Sequence, residues 1–256
     1  MRLDTLKWPE IAAVSDRVFL VPLGSTEQHG RHLPLQTDTA IVSAIAERVE
    51  RAAPDRIVLL PALWIGHSPH HAAFGCISLD VRPYMDLIAG ICRSLVGMGA
   101  RRIVLLNGHG GNDVPCKAAM RELKTEFATR ADLYIVYAAY WALAARRFSD
   151  IRKSPVGGMN HACEMETSVM LSVAPGSVDM SRAEAGGPCH ETGWRRSDML
   201  QPRPYYIVND FDEISESGTV GLPEYASAAQ GEQFLSAAAA SVEELLAEVM
   251  TWNYQG

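Results

Sequence analysis

The chain has 256 residues, of which 48% are hydrophobic and 21% are charged, and its formal net charge is -7. These proportions are typical of a globular protein that buries a sizeable core without disulfide or metal staples. Nucleic-acid binders usually carry a basic stripe, whereas the longest basic runs here are pairs such as Arg101-Arg102. The composition therefore argues against nucleic acid as a partner.

Cysteine usage and the first residues indicate where the protein works. The five cysteines are an odd number without a C-x-x-C pair, which favours reduced thiols over a disulfide framework or a zinc ribbon. Residues 1–17 contain early acidic side chains and no apolar run, unlike a signal peptide. No stretch approaches the roughly 20 apolar residues of a membrane-spanning helix. We predict a cytoplasmic protein without a membrane partner.

Short apolar runs alternate with helical patterns along the chain. In chain order we predict a strand at 17–23, a helix at 39–53, a strand at 56–63, a helix at 83–97, a strand at 102–106, a helix at 112–129, a strand at 132–138 and a helix at 223–251. The strands are continuously hydrophobic, as expected for parallel strands covered on both faces. We therefore predict one α/β domain over residues 1–256, a three-layer α/β/α sandwich with a mostly parallel sheet.

Residues 186–223 interrupt this alternation. They are rich in glycine, proline and polar residues and contain four aromatic side chains, Trp194, Tyr205, Tyr206 and Phe211. Long irregular segments within compact domains are usually functional. We predict a lid over a pocket or a contact with a neighbouring subunit; the simpler alternative is a surface excursion that packs locally.

Two glycine-rich segments follow predicted strands. Strand 17–23 leads into residues 24–30, GSTEQHG, and strand 102–106 leads into residues 107–112, NGHGGN. In an open α/β sheet, ligands bind in the crevice outside the carboxyl ends of the strands, so both segments can face one crevice. Glu27 and His29, at i and i+2 of an extended stretch, point to the same side of the backbone.

Glu27, His29, Asp38 and His109 together form a candidate metal-binding set. Two carboxylates and two imidazoles suit Zn, Mn or Fe, whereas a soft site needs thiolates and a Mg or Ca site needs oxygen only. Each residue also has a simpler interpretation. Asp38 can be the N-cap of the following helix, and NGHGGN can be a turn or a phosphate-binding loop.

A third cluster lies at residues 160–168, NHACEMETS, ahead of an apolar run. In a helix, His161 and Glu164 share one face, and His161 is a candidate proton-transfer group. We expect Glu164 to be a solvated helix acid. We expect Glu166 to be buried, where a carboxylate needs a cation or a dense set of hydrogen bonds.

A fourth cluster, His67, His70 and His71, follows strand 56–63. Three histidines within five residues suggest zinc, but Pro69 imposes an irregular backbone. Because histidines in such loops often bind polar groups of a substrate, we favour substrate contact or pocket lining over metal ligation.

Residues 24–38, 107–112, 161–168 and 68–74 resemble the motifs of the creatininase (creatinine amidohydrolase) family, most specifically in the pattern E-x-H-G-x-H-L-P-x-x-T-D at 27–38. The resemblance implies an α/β sandwich that is often a homohexamer, with one or two divalent ions (Zn, Mn or Fe) that hydrolyse amide-like C–N bonds. By position it implies that Asp38 bridges the metals, that Glu166 completes the second metal's shell, and that His161 transfers a proton near the leaving nitrogen. The implied metal ligands are Glu27, His29, Asp38, His109 and Glu166. The expected substrate contacts are His70, His71, Phe74, Gly110 and Asn112.

Three departures from the family pattern bear on the substrate. Gly110-Gly111 replace a tyrosine and a glutamate of creatinine hydrolases, Gly157-Gly158-Met159 replace a segment with a tryptophan, and Phe74-Gly75-Cys76 replaces F-P-G-T. This form resembles branches acting on formamides of pyrimidine or purine intermediates, on cofactor-precursor peptides or on cyclic keto-sugars.

We predict a hydrolase that cleaves an amide-like C–N bond, in a cyclic amide or formamide, of a small polar molecule by a metal-activated water. One alternative is a hydrolase or lyase that opens a cyclic keto-sugar of the inosose type on the same metal centre. The other is a non-catalytic regulator that binds a nucleotide or phosphate.

Overall fold

The computed structural model describes residues 1–188, 196–201 and 205–253. Its main sheet contains four parallel strands in the spatial order β3-β1-β5-β6. These strands are β1 (Val18–Leu23), β3 (Ile57–Leu59), β5 (Arg102–Asn107) and β6 (Tyr134–Ala139). Two short antiparallel strands, β2 (Thr26–Glu27) and β4 (Cys76–Ile77), form a second sheet.

The described residues form eight α-helices. They are α1 (Thr37–Ala52), α2 (Val81–Gly97), α3 (Asp113–Glu126), α4 (Tyr140–Leu143), α5 (Ala145–Ile151), α6 (Glu164–Val173), α7 (Phe211–Ile214) and α8 (Ala228–Val249). None of these helices combines the length and the apolar composition needed to cross a bilayer.

Alternate residues of the strands enter two separate cores. Val18 and Leu20 of β1 pack with residues of α1, α6 and α8, whereas Phe19, Val21 and Leu23 pack with residues of α2 and α3. Both faces of the sheet are therefore covered, which explains why its strands lack the polar alternation of a half-exposed sheet. The predicted three-layer α/β/α sandwich is confirmed.

The two largest differences between the predicted and the observed element boundaries have local causes. Strand β3 ends at Leu59 because Pro61 has no N–H to donate, although the Leu60 N–H still donates to the Leu20 carbonyl at 2.9 Å. The last helix begins at Ala228, since the Ser227 hydroxyl accepts a hydrogen bond from the Gln230 N–H and caps it.

Strands β1 and β5 end side by side. Leu23 and Asn107 are register partners, so the segments that follow them leave the sheet at the same edge. This position brings residues 24–30 and 107–112 together, as the crevice rule predicts.

Gly231 permits α8 to touch α6. A Cβ at position 231 would lie 1.9 Å from the carbonyl oxygen of Ser168 and 2.5 Å from its carbonyl carbon. Both atoms belong to the backbone of α6, so no side-chain movement relieves the contact. The small residue therefore sets the distance between these two helices.

We expect Gly231→Ala to destabilise the protein by about 1–3 kcal/mol, because overpacking forces the helices apart. Urea unfolding measures this change. Gly90→Ala in α2 is the matched control, since a Cβ there meets nothing within 4 Å. It should stabilise the protein by about 0.5–1 kcal/mol through helix propensity. Equal effects of the two substitutions would contradict the close approach of α6 and α8.

Candidate metal centre

Two carboxylates and two imidazoles converge at the carboxyl edge of the sheet. Glu27 lies on β2, His29 follows it, Asp38 lies in the first turn of α1, and His109 follows β5. None of the four is more than 4% exposed. Asp38 Oδ1 lies 3.0 Å from His29 Nε2, and Asp38 Oδ2 lies 3.2 Å from His109 Nδ1. The two oxygens of Asp38 thus face two different imidazoles, and Asp38 does not act as the N-cap of its helix.

Backbone carbonyls fix which nitrogen of each imidazole faces the carboxylates. His29 Nδ1 lies 3.1 Å from the Glu27 carbonyl oxygen, and His109 Nε2 lies 3.0 Å from the His67 carbonyl oxygen. A carbonyl only accepts, so these two nitrogens carry the hydrogens. In the neutral rings, His29 Nε2 and His109 Nδ1 then point lone pairs at carboxylate oxygens, an arrangement that is unfavourable unless a proton or a metal ion lies between them. Metal-binding histidines typically have this outer hydrogen bond.

The donor set fits a divalent ion. Two donors held about 2.1 Å from one ion in tetrahedral geometry lie about 3.4 Å apart. His109 Nδ1 lies 3.1 Å from Glu27 Oε1 and 3.2 Å from Asp38 Oδ2. Asp38 Oδ2 and Glu166 Oε2 are buried without a hydrogen-bond partner among the residues that the structure describes. Close groups of potential ligand atoms are Glu27-Asp38-His109, His29-His161-Glu166 and Glu27-His71-His161.

At His29 and His109, nearby carboxylates affect the pKa more strongly than burial does. Burial lowers the pKa of His29, but the carboxylates led by Asp38 outweigh it and raise the pKa to about 9. The pKa of His109 is raised well above its usual value despite burial, chiefly by Glu27. A proton and a metal ion are therefore attracted by the same negative field, and they compete for the same nitrogens.

Helix α6 contributes two buried carboxylates with different environments. Glu166 Oε1 lies 4.0 Å from His29 Nε2, and burial raises the pKa of Glu166 to about 7. Glu164 is also fully buried, so the expectation of a solvated acid is wrong. It accepts hydrogen bonds from the Lys153 N–H at 2.7 Å, the Ser154 N–H at 2.8 Å and Gln230 Nε2 at 2.6 Å. These donors replace water around the carboxylate and hold the preceding loop against α6.

His161 lies over His29, with 4.3 Å between the ring centroids. Paired backbone hydrogen bonds to Val220, at 2.8 and 3.0 Å, hold its main chain. The next residue, Ala162, has φ 51°, a left-handed conformation that costs energy for alanine and is often found at functional sites. Burial lowers the pKa of His161 well below its usual value, which keeps the ring neutral.

The three histidines of the loop after β3 contact different groups. His71 Nε2 lies 3.0 Å from Glu27 Oε1, and the His70 ring stacks over His109 at 5.7 Å. His67 Nδ1 instead lies 2.9 Å from the Leu79 carbonyl. Two of the three histidines therefore reach the centre.

A cavity of about 410 Å³ opens over this centre. The predicted site residues that line it are Glu27, Asp38, His70, His71, His109, Gly110, His161 and Glu166. His29 is fully buried behind them.

Two expected substrate contacts lie elsewhere among the described residues. Phe74 is 37% exposed and does not line the cavity. Asn112 is fully buried, where its Nδ2 donates to the Gly24 carbonyl and its Oδ1 accepts from the His67 N–H. The geometry gives Asn112 a role in holding these loops together, which leaves it no surface for a substrate.

Several lining residues were not predicted: Trp141, Asn160, Asp198, Met199, Gln201 and Phe211. Trp141 follows β6 at the sheet edge, so the crevice rule was sufficient to find it. Asp198, Met199, Gln201 and Phe211 belong to the irregular segment 186–223. The Phe211 ring lies 4.0 Å from that of His71 and 4.6 Å from that of His161. The described part of the segment thus forms cavity wall; Trp194 lies outside the described residues.

Comparison with known proteins matches residues 4–246 to the family described as creatinine amidohydrolase. A mycofactocin precursor peptide peptidase of Mycobacterium tuberculosis is 32% identical over 245 residues, which cover 92% of this chain and 86% of that protein. The creatinine amidohydrolase of Pseudomonas putida is 31% identical over 195 residues, covering 69% and 73%. A 3-dehydro-scyllo-inosose hydrolase of Thermotoga maritima is 26% identical over 249 residues, covering 91% and 78%.

Solved structures show the same architecture. A mutant creatininase of the Zn-Zn type superposes with a TM-score of 0.83 at 25% identity, covering 98% of both chains. The structure of creatininase Mn gives a TM-score of 0.76 at 26% identity, covering 98% of this chain and 99% of that one. With a family match along nearly the whole sequence and relatives above 30% identity, this chain belongs to the creatinine amidohydrolase (creatininase) family.

Proposed function

We propose that this protein is a metal-dependent amidohydrolase that uses water to break the C–N bond of an amide. The arrangement around Asp38 carries the proposal, because its two oxygens face two imidazoles whose outer nitrogens are committed to carbonyls. The residues that would hold the metal are Glu27, His29, Asp38, His109 and Glu166. Zn and Mn, which the names of related structures contain, suit this donor set, as does Fe.

The remaining residues supply proton transfer. A divalent ion held by these residues would lower the pKa of water toward about 7 and would polarise a carbonyl. Glu166 Oε2 is buried and has no hydrogen-bond partner within the described part of the chain, so it can take the proton that water gives up. His161 lies at the cavity wall near Glu166, where its neutral ring can accept that proton from Glu166 and pass it to the departing nitrogen. Water adds to the carbonyl carbon, the C–N bond breaks, and an acid and an amine leave.

A peptide-like amide is the substrate class we favour over the small molecule expected from the sequence. The relative from Mycobacterium tuberculosis is named for a precursor peptide. The cavity of about 410 Å³ has the size of sites that enclose drug-sized ligands. Gly110 also lines the cavity and leaves space there for a longer ligand, because a Cβ at this position would meet no atom of the described residues within 4 Å.

Two other functions have less support. Opening of a cyclic keto-sugar is the second candidate, because one relative is named an inosose hydrolase. A phosphate-binding regulator is disfavoured, because His109 of the NGHGGN loop faces the carboxylates of Glu27 and Asp38, which repel an anion.

The homohexamer and the cytoplasmic location stay predictions. Tyr206, Ile207 and Val208 are 79%, 61% and 73% exposed, and such an apolar stretch supports a contact with another copy of the chain.

We expect Asp38→Ala to lose both bound metal and amide hydrolysis, with turnover reduced more than about 100-fold, since even outer partners of metal ligands are typically worth 10–100-fold. Elemental analysis of the purified protein and hydrolysis assays measure the two effects. Asp86→Ala, an exposed carboxylate of α2, is the control and should retain both. A metal-free Asp38→Ala protein with wild-type activity would remove the metal mechanism.

We expect His161→Gln to lower kcat by about 10²–10⁴-fold, the usual range for a lost proton-transfer group. KM and metal content should stay near those of the wild type. A parallel loss of metal would instead place His161 among the ligands, as its closeness to His29 and Glu166 permits.

We expect short peptides to be hydrolysed with a higher kcat/KM than creatinine, formamides or inososes. In ¹⁸O-labelled water, one labelled oxygen should enter the new carboxylate of the peptide product. Mass spectrometry of the products measures both. Turnover of an inosose without any peptide cleavage would favour the keto-sugar alternative.

A further inference from the structure

Gln28 separates Glu27 from His29 in the chain, but its side chain points toward other groups. It is 5% exposed, and its Oε1 accepts a hydrogen bond from the Gly30 N–H at 2.8 Å. Because a backbone N–H only donates, this contact establishes which end of the amide is the oxygen. The Nε2 end therefore faces three potential acceptors, which are His71 Nδ1 at 2.8 Å, the Gly218 carbonyl at 3.1 Å and His161 Nε2 at 3.2 Å.

Only two of these three groups can accept a hydrogen from Nε2, because His161 Nε2 is itself a donor. His161 Nε2 also lies 2.8 Å from the Gln28 carbonyl oxygen, so it carries a hydrogen and donates it there. A nitrogen that donates in this way cannot accept from the amide. Gln28 therefore donates to the Gly218 carbonyl and to His71 Nδ1.

This allocation determines the state of two neighbouring rings. His71 accepts the Gln28 hydrogen at Nδ1, so this nitrogen carries no proton; the ring proton therefore sits on Nε2 and is donated to Glu27 Oε1 at 3.0 Å. His71 is then a hydrogen-bond donor to a ligand and not itself a ligand. His161, protonated at Nε2, keeps the lone pair of Nδ1 free.

The position of the amide is tightly restricted. A Cβ at Gly218 would lie 2.1 Å from Gln28 Oε1, and Gly218 has φ 79°, which other residues rarely adopt. The segment that carries Phe211 over the histidines is thus held to Gln28 through Gly218.

We propose that Gln28 is a positioning residue, whose side chain fixes His71 as a donor to Glu27 and whose carbonyl leaves His161 Nδ1 free for proton transfer. The consequence for catalysis rests on the proposed function, whereas the protonation pattern does not. The same pattern excludes His71 from the metal ligands, so the donor group Glu27-His71-His161 is held by hydrogen bonds.

The test is Gln28→Glu, which keeps an acceptor for Gly30 but removes the donor to His71. In zinc-loaded protein labelled with ¹⁵N-histidine, the ring nitrogen shifts report which nitrogen is protonated, and His71→Gln assigns the signals. We expect His71 Nδ1 to carry no proton in the wild type and to be protonated in the variant, because a carboxylate only accepts. We expect kcat to fall about 10–100-fold, the usual effect of losing an outer hydrogen bond, with KM and metal content near wild type.

Gln233→Glu introduces the same charge at an exposed position of α8 and should change neither signal nor kcat. Gln28→Met removes the donor without adding a charge and should also free His71 from a single tautomer. A wild-type His71 protonated on Nδ1 overturns the inference, and that measurement needs no variant to fold. Unchanged tautomers in Gln28→Glu would also overturn it. If the tautomers behave as expected but no amide is cleaved, the proposed function fails while the positioning of His71 is supported.

Discussion

The candidate site depends on the placement of Asp38 between the imidazoles of His29 and His109, whose orientations are fixed by hydrogen bonds. His29 and His109 each commit their outer nitrogen to a backbone carbonyl, so their inner nitrogens face the carboxylate oxygens. This arrangement is unfavourable in a buried place unless a cation lies between the partners. The register that pairs Leu23 with Asn107 brings the two histidine segments together, and α1 begins just before Asp38. The edge of the sheet and the first turn of α1 therefore together position the charged side chains of the centre.

Much of the fold could be predicted because its signals are local. Strands buried on both faces produce continuous apolar runs, and the helices between them have their own periodicity, so the sandwich follows from the order of elements. The errors arise where a single residue changes the hydrogen bonding, as Pro61 does at the end of β3. The left-handed backbone of Ala162 carries no sequence signal, because alanine is not a residue that usually adopts it.

The site was predictable only where a motif or a strand end marked it. Glu27, His29, Asp38 and His109 all lie at such places. Glu164 was assigned to solvent because its partners, the 153–154 backbone and Gln230, come from distant parts of the chain. The same applies to Gln28, whose neighbours His71, His161 and Gly218 are 43 to 190 residues away. Such contacts depend on the completed fold, and no local pattern encodes them.

Gly111 allows the histidine loop to lie directly against His109 of the candidate metal centre. A Cβ at this position would lie 2.1 Å from the His67 carbonyl oxygen and 2.4 Å from His109 Nε2, the two atoms that form the outer hydrogen bond of His109. By resemblance, creatinine hydrolases carry a glutamate here, whereas in this chain any Cβ at position 111 would require the histidine loop to move away. The glycine is therefore required for the present position of the histidine loop. It allows the loop to lie against His109, with the His70 ring 5.7 Å from that of His109. The His70 side chain then forms the cavity wall at this position. The same contact therefore shapes the cavity wall and orients His109, which we propose as a metal ligand.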